Sequence, residues 1–479
     1  MSFVNHSPGE GCEAGTQSRI CGTLSVMRIL ILYPGLHGER ARLLEPYKWR
    51  LRLGRVQVIL ADDRVHSEDA GVFADVLEMP AAEDAAGAWQ VLARYLEKHP
   101  VDGIIAQSEP GLLLGARAAR EFGLPGPSVE AALSTVNKFD SRTRLAAARV
   151  AQPAFEWVGD AQGVRRFASE HGWPVVIKAV ASSRQRLVLK VSGEADLEKT
   201  VAHMLAELPA ARDVRRLVSF AEIEGIDLGL DPFRGFLVEA FQVGRPVECD
   251  AVIAGHEPHW FGICEQLICN QPGFIIEGYA LPARVSAEQE LQALSTARIA
   301  VKTLGLSHTG VSVELALAPD GPHIIEVNGR LPWDDGLNEL IQASTGCNPG
   351  VLMLKVAAGK SLPRVRTRQH AALIYRCQFD EGQLTQVPDP ARLKALTAPE
   401  QRPLLFARLG DRLLPAEHPD SRPHVAGFLA TDPKHTLGAI EIARAGLAGL
   451  QLDIQPTRPA HAAPPTVTQA SSFQASARS

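Results

Sequence analysis

Apolar runs that end in turn residues alternate with a helical period in the first part of the chain. The runs RILILYPG, RVQVILADD and VDGIIAQSE each predict a buried strand, and the third precedes the helix-like GLLLGARAARE. Strands alternating with helices predict a parallel, doubly wound sheet. Ligands of such sheets bind at the carboxyl ends of the strands, here residues 33–35 and 108–109. No G-x-G-x-x-G follows the first strand, which argues against a nicotinamide enzyme.

A turn cluster at residues 124–127 (LPGP) marks the end of this first region. Beyond it, NKFDSRTRLAAARVAQP predicts an amphipathic helix, and residues 165–238 predict a small α/β module with the strands PVVIKAV and RLVLKV. Three strands follow, FLVEAFQV, PVECDAVIA and HWFGICEQLI, and then a helix near 287–304. The strands VSVELAL and HIIEVN are joined by Pro-Asp-Gly, which predicts a β-hairpin.

The chain changes character again after Pro363, where it becomes rich in Arg and Pro. Short strands and the helix TLGAIEIARAGLAGL predict a terminal α+β subdomain there, and polar, low-complexity ends predict disordered tails. The predicted organisation is a tail at 1–26, an N-terminal doubly wound domain at 27–127, a central domain at 128–362 with a lid at about 165–238, a C-terminal subdomain at 363–455 and a tail at 456–479.

Composition and charge remove several functional classes. The 479 residues are 46% hydrophobic and 22% charged, which is typical of a globular protein. A net charge of −5 without a basic run gives no support to nucleic-acid binding. Seven cysteines without a C-x-x-C indicate reduced thiols in the cytoplasm, with neither a disulfide framework nor a zinc site. With neither a signal peptide nor an 18-residue apolar stretch, we expect a soluble, cytoplasmic protein that does not bind membranes.

The clearest chemical signal lies in the predicted hairpin VSVELALAPDGPHIIEVNGR. Period-2 alternation places Glu326, Asn328 and Arg330 on one face of its second strand, and the turn brings Glu314 across from them. Two carboxylates and an amide oxygen form a hard, all-oxygen site that suits Mg²⁺. Arg330 adds a planar donor fork for a phosphoryl or acyl-phosphate group. The alternative is a solvated strand face with ordinary charges, but the paired Glu314 favours the metal site.

A Glu followed twelve positions later by Glu-x-Asn-x-Arg resembles the ATP-grasp superfamily, as in biotin carboxylase, carbamoyl-phosphate synthetase and the L-amino-acid ligases. The resemblance covers about residues 27–455 and implies an α/β chain with the ATP-grasp fold. It also implies ATP and Mg²⁺ as cofactors, with Mn²⁺ able to substitute. It makes Glu314, Glu326 and Asn328 the metal ligands. Arg330 becomes the catalytic residue that contacts the reacting phosphoryl group.

Further motifs stand in the family's order. NKFDSR resembles its D-K-x-x-x-R helix and PVVIKA its P-V-V-[IV]-K-P strand, and each carries a lysine that reaches the nucleotide phosphates. VEAFQVGRPVECDAV resembles the adenine hinge and the strand after it, whose Glu often lies near the ribose or phosphates. The nucleotide-binding residues implied by this resemblance are Lys138, Lys178, Glu239, Ala240, Gln242 and Glu248.

The chain departs from the family at its lid and at the acceptor side. The lid reads AVASSRQRLVLKV, with Ala179 in place of Pro and without glycine, so side chains at 182–184 would have to supply donors. GFIIEGYALPA resembles a stretch near the amino-acid site of the L-amino-acid ligases, which suggests Glu277 as a partner of the acceptor ammonium. Trp333, after the predicted metal strand, is expected in the acceptor pocket. A surface Glu and a core Trp are the alternatives.

The resemblance implies carboxylate activation through an acyl-phosphate, followed by attack of an amine. We expect an ADP-forming carboxylate–amine ligase that joins an amino acid to an amine or a second amino acid. One alternative is a biotin carboxylase-like subunit, although Pro246 stands where those enzymes usually carry His and no Met-Lys-Met motif occurs. A non-catalytic nucleotide-binding scaffold is the other. No general base can be assigned. Relatives commonly form dimers, so a homodimer is compatible with the resemblance.

Overall fold

The structure is a computed structural model that describes residues 26–33, 56–67, 69–183, 185–269, 274–332, 335–398, 400–415, 418 and 421–457. The predicted tails lie almost wholly outside these residues. Trp333 and the loop at 34–35 also lie outside them. Within the described ranges, no helix is both long enough and apolar enough to cross a lipid bilayer.

The N-terminal region is a four-stranded parallel sheet in the order β3-β2-β1-β4, as the doubly wound pattern predicted. Its second helix begins where Ser108 accepts a hydrogen bond from the Gly111 N–H, with Pro110 in the first turn, and ends at Gly123, where φ is 64°. The elements are β1 (Met27–Leu32), β2 (Val56–Asp62), a 3₁₀ turn (Asp69–Gly71), β3 (Asp75–Glu78), α1 (Ala85–Lys98), β4 (Gly103–Ala106) and α2 (Glu109–Phe122).

Two helices lead into a lid built on a four-stranded antiparallel sheet of order β5-β8-β6-β7. The elements are α3 (Val129–Val136), α4 (Lys138–Ala147), β5 (Phe155–Val158), α5 (Ala161–His171), β6 (Val175–Lys178), β7 (Val188–Val191), α6 (Glu194–Glu207), a 3₁₀ turn (Leu208–Ala210), α7 (Arg212–Glu224) and β8 (Phe236–Ala240). The sheet includes β5, upstream of the module predicted at 165–238, because β5 pairs with β8 along its whole length.

An eight-stranded sheet of order β13-β12-β9-β10-β11-β14-β18-β16 forms the centre of the molecule. Its elements and those of the C-terminal region are β9 (Arg245–Ala254), β10 (Glu257–Ile268), β11 (Ile276–Leu281), α8 (Ala287–Thr303), β12 (Gly310–Ala318), β13 (Gly321–Asn328), α9 (Leu337–Thr345), α10 (Pro349–Ala357), β14 (His370–Cys377), β15 (Gly382–Gln386), α11 (Pro390–Ala395), β16 (Gln401–Leu405), β17 (Arg412–Leu413), β18 (His424–Asp432), α12 (Thr436–Ala448) and β19 (Asp453–Pro456).

The C-terminal strands β14, β18 and β16 complete this central sheet, while β17-β15-β19 form a small sheet of their own. The two faces of the central sheet differ in chemistry. One face is apolar and packs against α8 through side chains such as Val247, Val313 and Ala297. The other face packs against the N-terminal sheet and α9–α10 at β10, β11 and β14, and carries carboxylates on β9, β12 and β13. This polar end is where the predicted site lies.

Candidate active site

Three glutamates lie side by side across the polar end of the central sheet. Glu314 on β12 is directly opposite Glu326 on β13, because a β-bulge between Glu314 and Leu315 shifts the hairpin register, and it is directly opposite Glu248 on β9. Residues directly opposite on antiparallel strands share a face, with Cβ atoms about 4.5–5.5 Å apart. Asn328 is opposite Ser312 one step along the same face. The strand register therefore gathers the predicted metal ligands with Glu248.

The carboxylate of Glu326 is in direct contact with the ammonium group of Lys138. Lys138 is the first residue of α4, whose N-terminus is capped by the Asn137 side chain and whose first N–H donates to the Val180 carbonyl. Burial raises the pKa of Glu326, but the charges of Lys138 and Lys178 outweigh it and lower the pKa overall. Glu326 is therefore an anion at neutral pH, which a metal ligand must be.

Lys178, the second predicted phosphate lysine, is held by a buried carboxylate. Its ammonium lies 2.7 Å from Glu239, which also accepts from Arg142 Nε at 2.7 Å. Arg142 donates in addition to the Ile324 and Ile325 carbonyls of β13, each at 2.7 Å. Burial would raise the pKa of Glu239, yet the two cations lower it to about 2. This network ties the lid sheet, α4 and the central sheet together.

Both oxygens of Glu239 are thus engaged by cations, and its predicted place at the adenine base stays a prediction. Ala240 ends β8 and donates its N–H to the Ala154 carbonyl. Gln242 follows in the connection to β9, where its side chain donates to the Val243 carbonyl at 3.2 Å. Val243 is 63% exposed, so the predicted hinge lies at the edge of the lid.

Glu248 is almost fully buried. Its two oxygens accept from Ser312 Oγ at 2.6 Å and from Gln266 Nε2 at 3.0 Å. These donors come from the neighbouring strands β12 and β10, so the carboxylate is fixed by the sheet itself. The carboxylate of Glu248 is therefore held in place beside Glu314.

Arg330, just beyond β13, reaches the N-terminal region. Its Nε and one terminal nitrogen both lie 2.9 Å from Glu109, the first residue of α2. Glu109 follows β4 at the carboxyl edge of the parallel sheet, where the sequence predicted ligand binding. The contact therefore joins the predicted catalytic arginine to the predicted substrate edge of the N-terminal sheet.

Two adjacent clefts open onto part of this site, although Glu314, Glu248 and Arg330 line neither of them. The larger, of about 360 Å³, is lined by Lys138, Glu326 and Asn328 on one side and by Glu109, residues 181–183 and α7 on the other. The smaller, of about 300 Å³, is lined by Lys178, Glu239, Arg142 and the backbone of β13. Lys138, Glu326 and Thr135 line both clefts, so the two meet at the Lys138–Glu326 contact.

Glu277 is not brought to this place. It lies on β11, four strands from β13, which corresponds to about 19 Å across the sheet. Its charge, after the larger effect of burial, helps to raise the pKa of Cys377 to about 12. Its predicted role at an acceptor ammonium stays a prediction, and Trp333 lies outside the described residues.

Several polar residues in the site were missed by the sequence reasoning. Arg142 follows Lys138 by four residues, and that helical spacing could have placed both on one face. Glu109 was noted only as a strand-end position, without its arginine partner. Asp213 and Arg216 on α7 had no motif to signal them, because only the closed fold brings α7 to the cleft.

The chemistry of the predicted metal ligands fits Mg²⁺. Glu314, Glu326 and Asn328 offer hard oxygen donors, and Mg²⁺ takes few protein ligands when phosphate oxygens and water complete its shell. Across the described part of the chain, no three His, Cys, Asp or Glu side chains are arranged to hold a metal by themselves. A metal at this site would therefore need the amide of Asn328 and oxygens from a bound nucleotide.

Comparisons with known protein families and structures agree with the resemblance seen in the sequence motifs. Residues 51–126 match the family model of the ATP-grasp N-terminal domain, and residues 217–332 match that of the ATP-grasp domain. The chain is 28% identical over 284 residues to the uncharacterized protein y4rH of Sinorhizobium fredii, which covers 56% of the chain and 55% of that protein. The chain therefore spans about half the length of that relative.

Two further relatives span most of the chain. The formate-dependent phosphoribosylglycinamide formyltransferase of a Synechococcus strain is 27% identical over 353 residues, which covers 73% of the chain and 82% of that protein. The crystal structure of an L-amino acid ligase from Bacillus licheniformis superposes with a TM-score of 0.70 at 20% identity, covering 89% of the chain and 98% of that structure. The superposition on this ligase structure confirms the predicted ATP-grasp fold.

Proposed function

Because the chain belongs to the ATP-grasp superfamily of ADP-forming carboxylate–amine ligases, we propose that it activates a carboxylate as an acyl-phosphate and joins it to an amine. The proposed substrates are an amino acid and either an amine or a second amino acid. The observation that carries the proposal is the register that sets Glu314 opposite Glu326, with Lys138 in contact with Glu326 and Arg330 at the edge of the N-terminal sheet.

The nucleotide is proposed to lie between the lid and the central sheet, along the two clefts. Lys138 and Lys178 are the cations that would meet its phosphates. Each is buried and paired with a carboxylate, so each is held in place before a ligand arrives. A polyanionic phosphate chain would replace Glu326 as the partner of the Lys138 ammonium group. The Glu326 carboxylate would then be free to bind a divalent cation.

Glu314, Glu326 and Asn328 are the proposed Mg²⁺ ligands. When bound, Mg²⁺ would neutralise the charge that develops on the transferred phosphoryl group. The chain's own contribution is to hold these oxygens in register and to keep Glu326 ionised. Arg330 is proposed to stabilise the negative charge of the acyl-phosphate, and Glu109 orients its guanidinium because two of its nitrogens contact the same Glu109 oxygen.

The acceptor amine is proposed to enter from the N-terminal side of the larger cleft. Glu109 and the carboxyl edge of the parallel sheet lie there, where ligands of such sheets bind. The relatives support an amide-forming reaction: one is named as a formate-dependent formyltransferase and the other as an L-amino acid ligase. Both names fit the joining of a carboxylate to an amine, and the formyltransferase, which is a relative by sequence, favours this branch over a biotin carboxylase.

A phosphate-release screen tests the proposal. Purified protein with Mg²⁺ and ATP is offered all pairs of the twenty amino acids, and formate or bicarbonate with each amine. We expect ADP and phosphate in equal amounts for at least one carboxylate–amine pair, with the ligated product identified by mass spectrometry. Glu326→Ala should abolish the release.

The other outcomes separate the alternatives. Turnover with formate alone as the carboxylate would move the substrate assignment toward the formyltransferase relatives while keeping the reaction class. Turnover only with bicarbonate would support a carboxylase instead. Tight nucleotide binding without turnover on any pair would contradict the enzyme proposal and favour a scaffold.

A further inference from the structure

The lid contributes a polar wall to the larger cleft that faces the predicted metal ligands. Ser182 and Ser183 come from the lid loop after β6, and Asp213 and Arg216 come from the first two turns of α7. They line the same space as Glu326. No motif assigned Asp213 or Arg216 a role.

Asp213 organises this wall. One of its oxygens accepts from both the N–H and the hydroxyl of Ser183, at 2.9 and 2.8 Å. Its other oxygen lies 3.1 Å from Arg216, whose second terminal nitrogen lies 3.1 Å from Glu83 of the N-terminal region. The glycine-free lid loop is therefore held by a helix carboxylate, and Ser183 is committed to that contact.

Two hydrogen-bond donors of this polar wall have no partner among the described residues. These donors, Arg216 Nε and Ser182 Oγ, are both buried. The Arg216 side chain is only 11% exposed. A buried donor without a partner is costly, and native structures tend to retain such a group where a ligand or water satisfies it. Arg216 and Ser182 both line the larger cleft, which is already proposed to bind phosphates.

We propose that Arg216, assisted by Ser182, binds an oxyanion in this cleft, either the terminal phosphoryl group of ATP or the carboxylate of the substrate. Asp213 is a positioning residue that holds the lid loop and the arginine. The inference rests on the proposed function, because it takes the cleft to be the nucleotide and carboxylate site. Of the lining acids, Glu109 pairs with Arg330 and Glu326 with Lys138, while Arg216 is shared between Asp213 and Glu83.

Nucleotide binding tests the inference without a known substrate. Titration calorimetry compares Mg²⁺ with the non-hydrolysable analogue AMP-PNP and with ADP, for wild type, Arg216→Gln and Arg215→Gln. Arg215 is the exposed neighbour on the same helix and serves as the matched control. If Arg216 binds the terminal phosphoryl group, Arg216→Gln should weaken AMP-PNP on the order of tenfold or more while ADP changes little. Arg215→Gln should leave both affinities unchanged.

If the oxyanion is the substrate carboxylate, the affinities of Arg216→Gln for AMP-PNP and for ADP should equal those of the Arg215→Gln control. The thermal shift that formate or any of the twenty amino acids produces on the wild-type Mg²⁺–AMP-PNP complex should then be lost in Arg216→Gln and kept in Arg215→Gln. Equal behaviour of the two variants in every titration would overturn the inference. If wild-type protein binds no nucleotide, the proposed function fails first and the inference fails with it.

A second variant separates ligand binding from a tether between lid and N-terminal region. Glu83→Gln removes the partner that competes for Arg216 but leaves the arginine in the cleft. If the inference is correct, Glu83→Gln should bind the oxyanion with an affinity equal to or higher than that of wild type. A loss of affinity equal to that of Arg216→Gln, or equal weakening of AMP-PNP and ADP, would show that Arg216 acts only by holding the lid, and would also overturn the inference.

Discussion

Replacing Glu239 by glutamine should strongly destabilise the lid, because the substitution leaves two buried cations without their counter-ion. Glu239 is 3% exposed, and its two oxygens contact Arg142 and Lys178 at 2.7 Å each. Glutamine keeps the shape, but its amide NH₂ group faces a cation where an oxygen accepted before. Arg142 remains anchored on the β13 carbonyls and cannot leave.

The size of the destabilisation follows both from the loss of a buried ion-pair partner and from the lowered pKa of Glu239. Removing one partner of a buried ion pair typically costs about 3–5 kcal/mol. A pKa lowered from the ordinary 4.5 to about 2 corresponds to about 3 kcal/mol of stability at neutral pH. The two figures agree in order of magnitude, so we expect a loss of about 3 kcal/mol or more.

The same shift fixes the dependence on pH. Because the pKa of Glu239 is lower in the folded state, its contribution is complete above pH 4.5 and is lost as the pH falls from 4.5 toward 2. The difference in stability between wild type and Glu239→Gln should therefore be similar at pH 7 and pH 5. It should fall by more than half at pH 3.

Urea unfolding at pH 7, 5 and 3 measures this difference. Because the chain has several folding regions, hydrogen exchange of peptides that cover β8 at pH 7 gives the local opening free energy as well. Glu257→Gln is the matched control, since Glu257 also contacts two cations, Arg298 and Lys302, but on the exposed surface. It should change nothing measurable. A Glu239→Gln effect below about 1 kcal/mol, or one that is the same at pH 3 and pH 7, would refute the electrostatic reasoning.

Three further predictions concern the site and its surroundings. Glu326→Gln should lower phosphate release by about a hundredfold or more while the fold stays intact by circular dichroism, since an uncharged amide oxygen binds Mg²⁺ more weakly than the carboxylate it replaces; near-wild-type turnover would contradict the metal assignment. Gly329→Ala should cost about 1–3 kcal/mol in urea unfolding, because a Cβ at Gly329 would lie 2.7 Å from a Leu112 methyl group; unchanged stability would mean that α2 can shift freely. Cys249 and Cys264 should resist a thiol reagent until the protein unfolds, because burial and nearby carboxylates raise the pKa of both thiols well above the ordinary value; fast labelling of the folded protein, read by mass spectrometry, would contradict that burial.

Much of the fold followed from local patterns. The period-2 strands around Glu314 and Glu326 and the Pro-Asp-Gly turn gave the hairpin. The β-bulge between Glu314 and Leu315, which sets Glu314 opposite Glu326, was not predicted from these patterns. The apolar runs of the N-terminal region gave a parallel sheet, and its strand order β3-β2-β1-β4 has the doubly wound form. These features depend on residues close in sequence, so side-chain spacing and turn chemistry are enough to reveal them.

Contacts between segments that are distant in sequence could not be predicted from these local patterns. The four residues of β5 gave no separate signal, because their role comes from pairing with β8 some eighty residues later. The strands after Pro363 read as a separate subdomain, yet three of them complete the central sheet, since pairing partners are chosen by the whole fold. Glu277 was assigned to the site only because its motif resembles one near the amino-acid site of relatives. In the structure it lies on β11, four strands from the metal-ligand strand β13.

The sequence by itself determined which chemistry the chain carries: two glutamates, an asparagine, an arginine and two lysines in a fixed order. Only the tertiary structure decided how those charges are paired. Lys138 contacts Glu326 across 188 positions, Arg330 contacts Glu109 across 221, and Arg216 enters the cleft from a helix without a motif. Charge pairing depends on distance and burial, which the closed fold sets, because a buried ion is stable only beside the partner that packing brings to it.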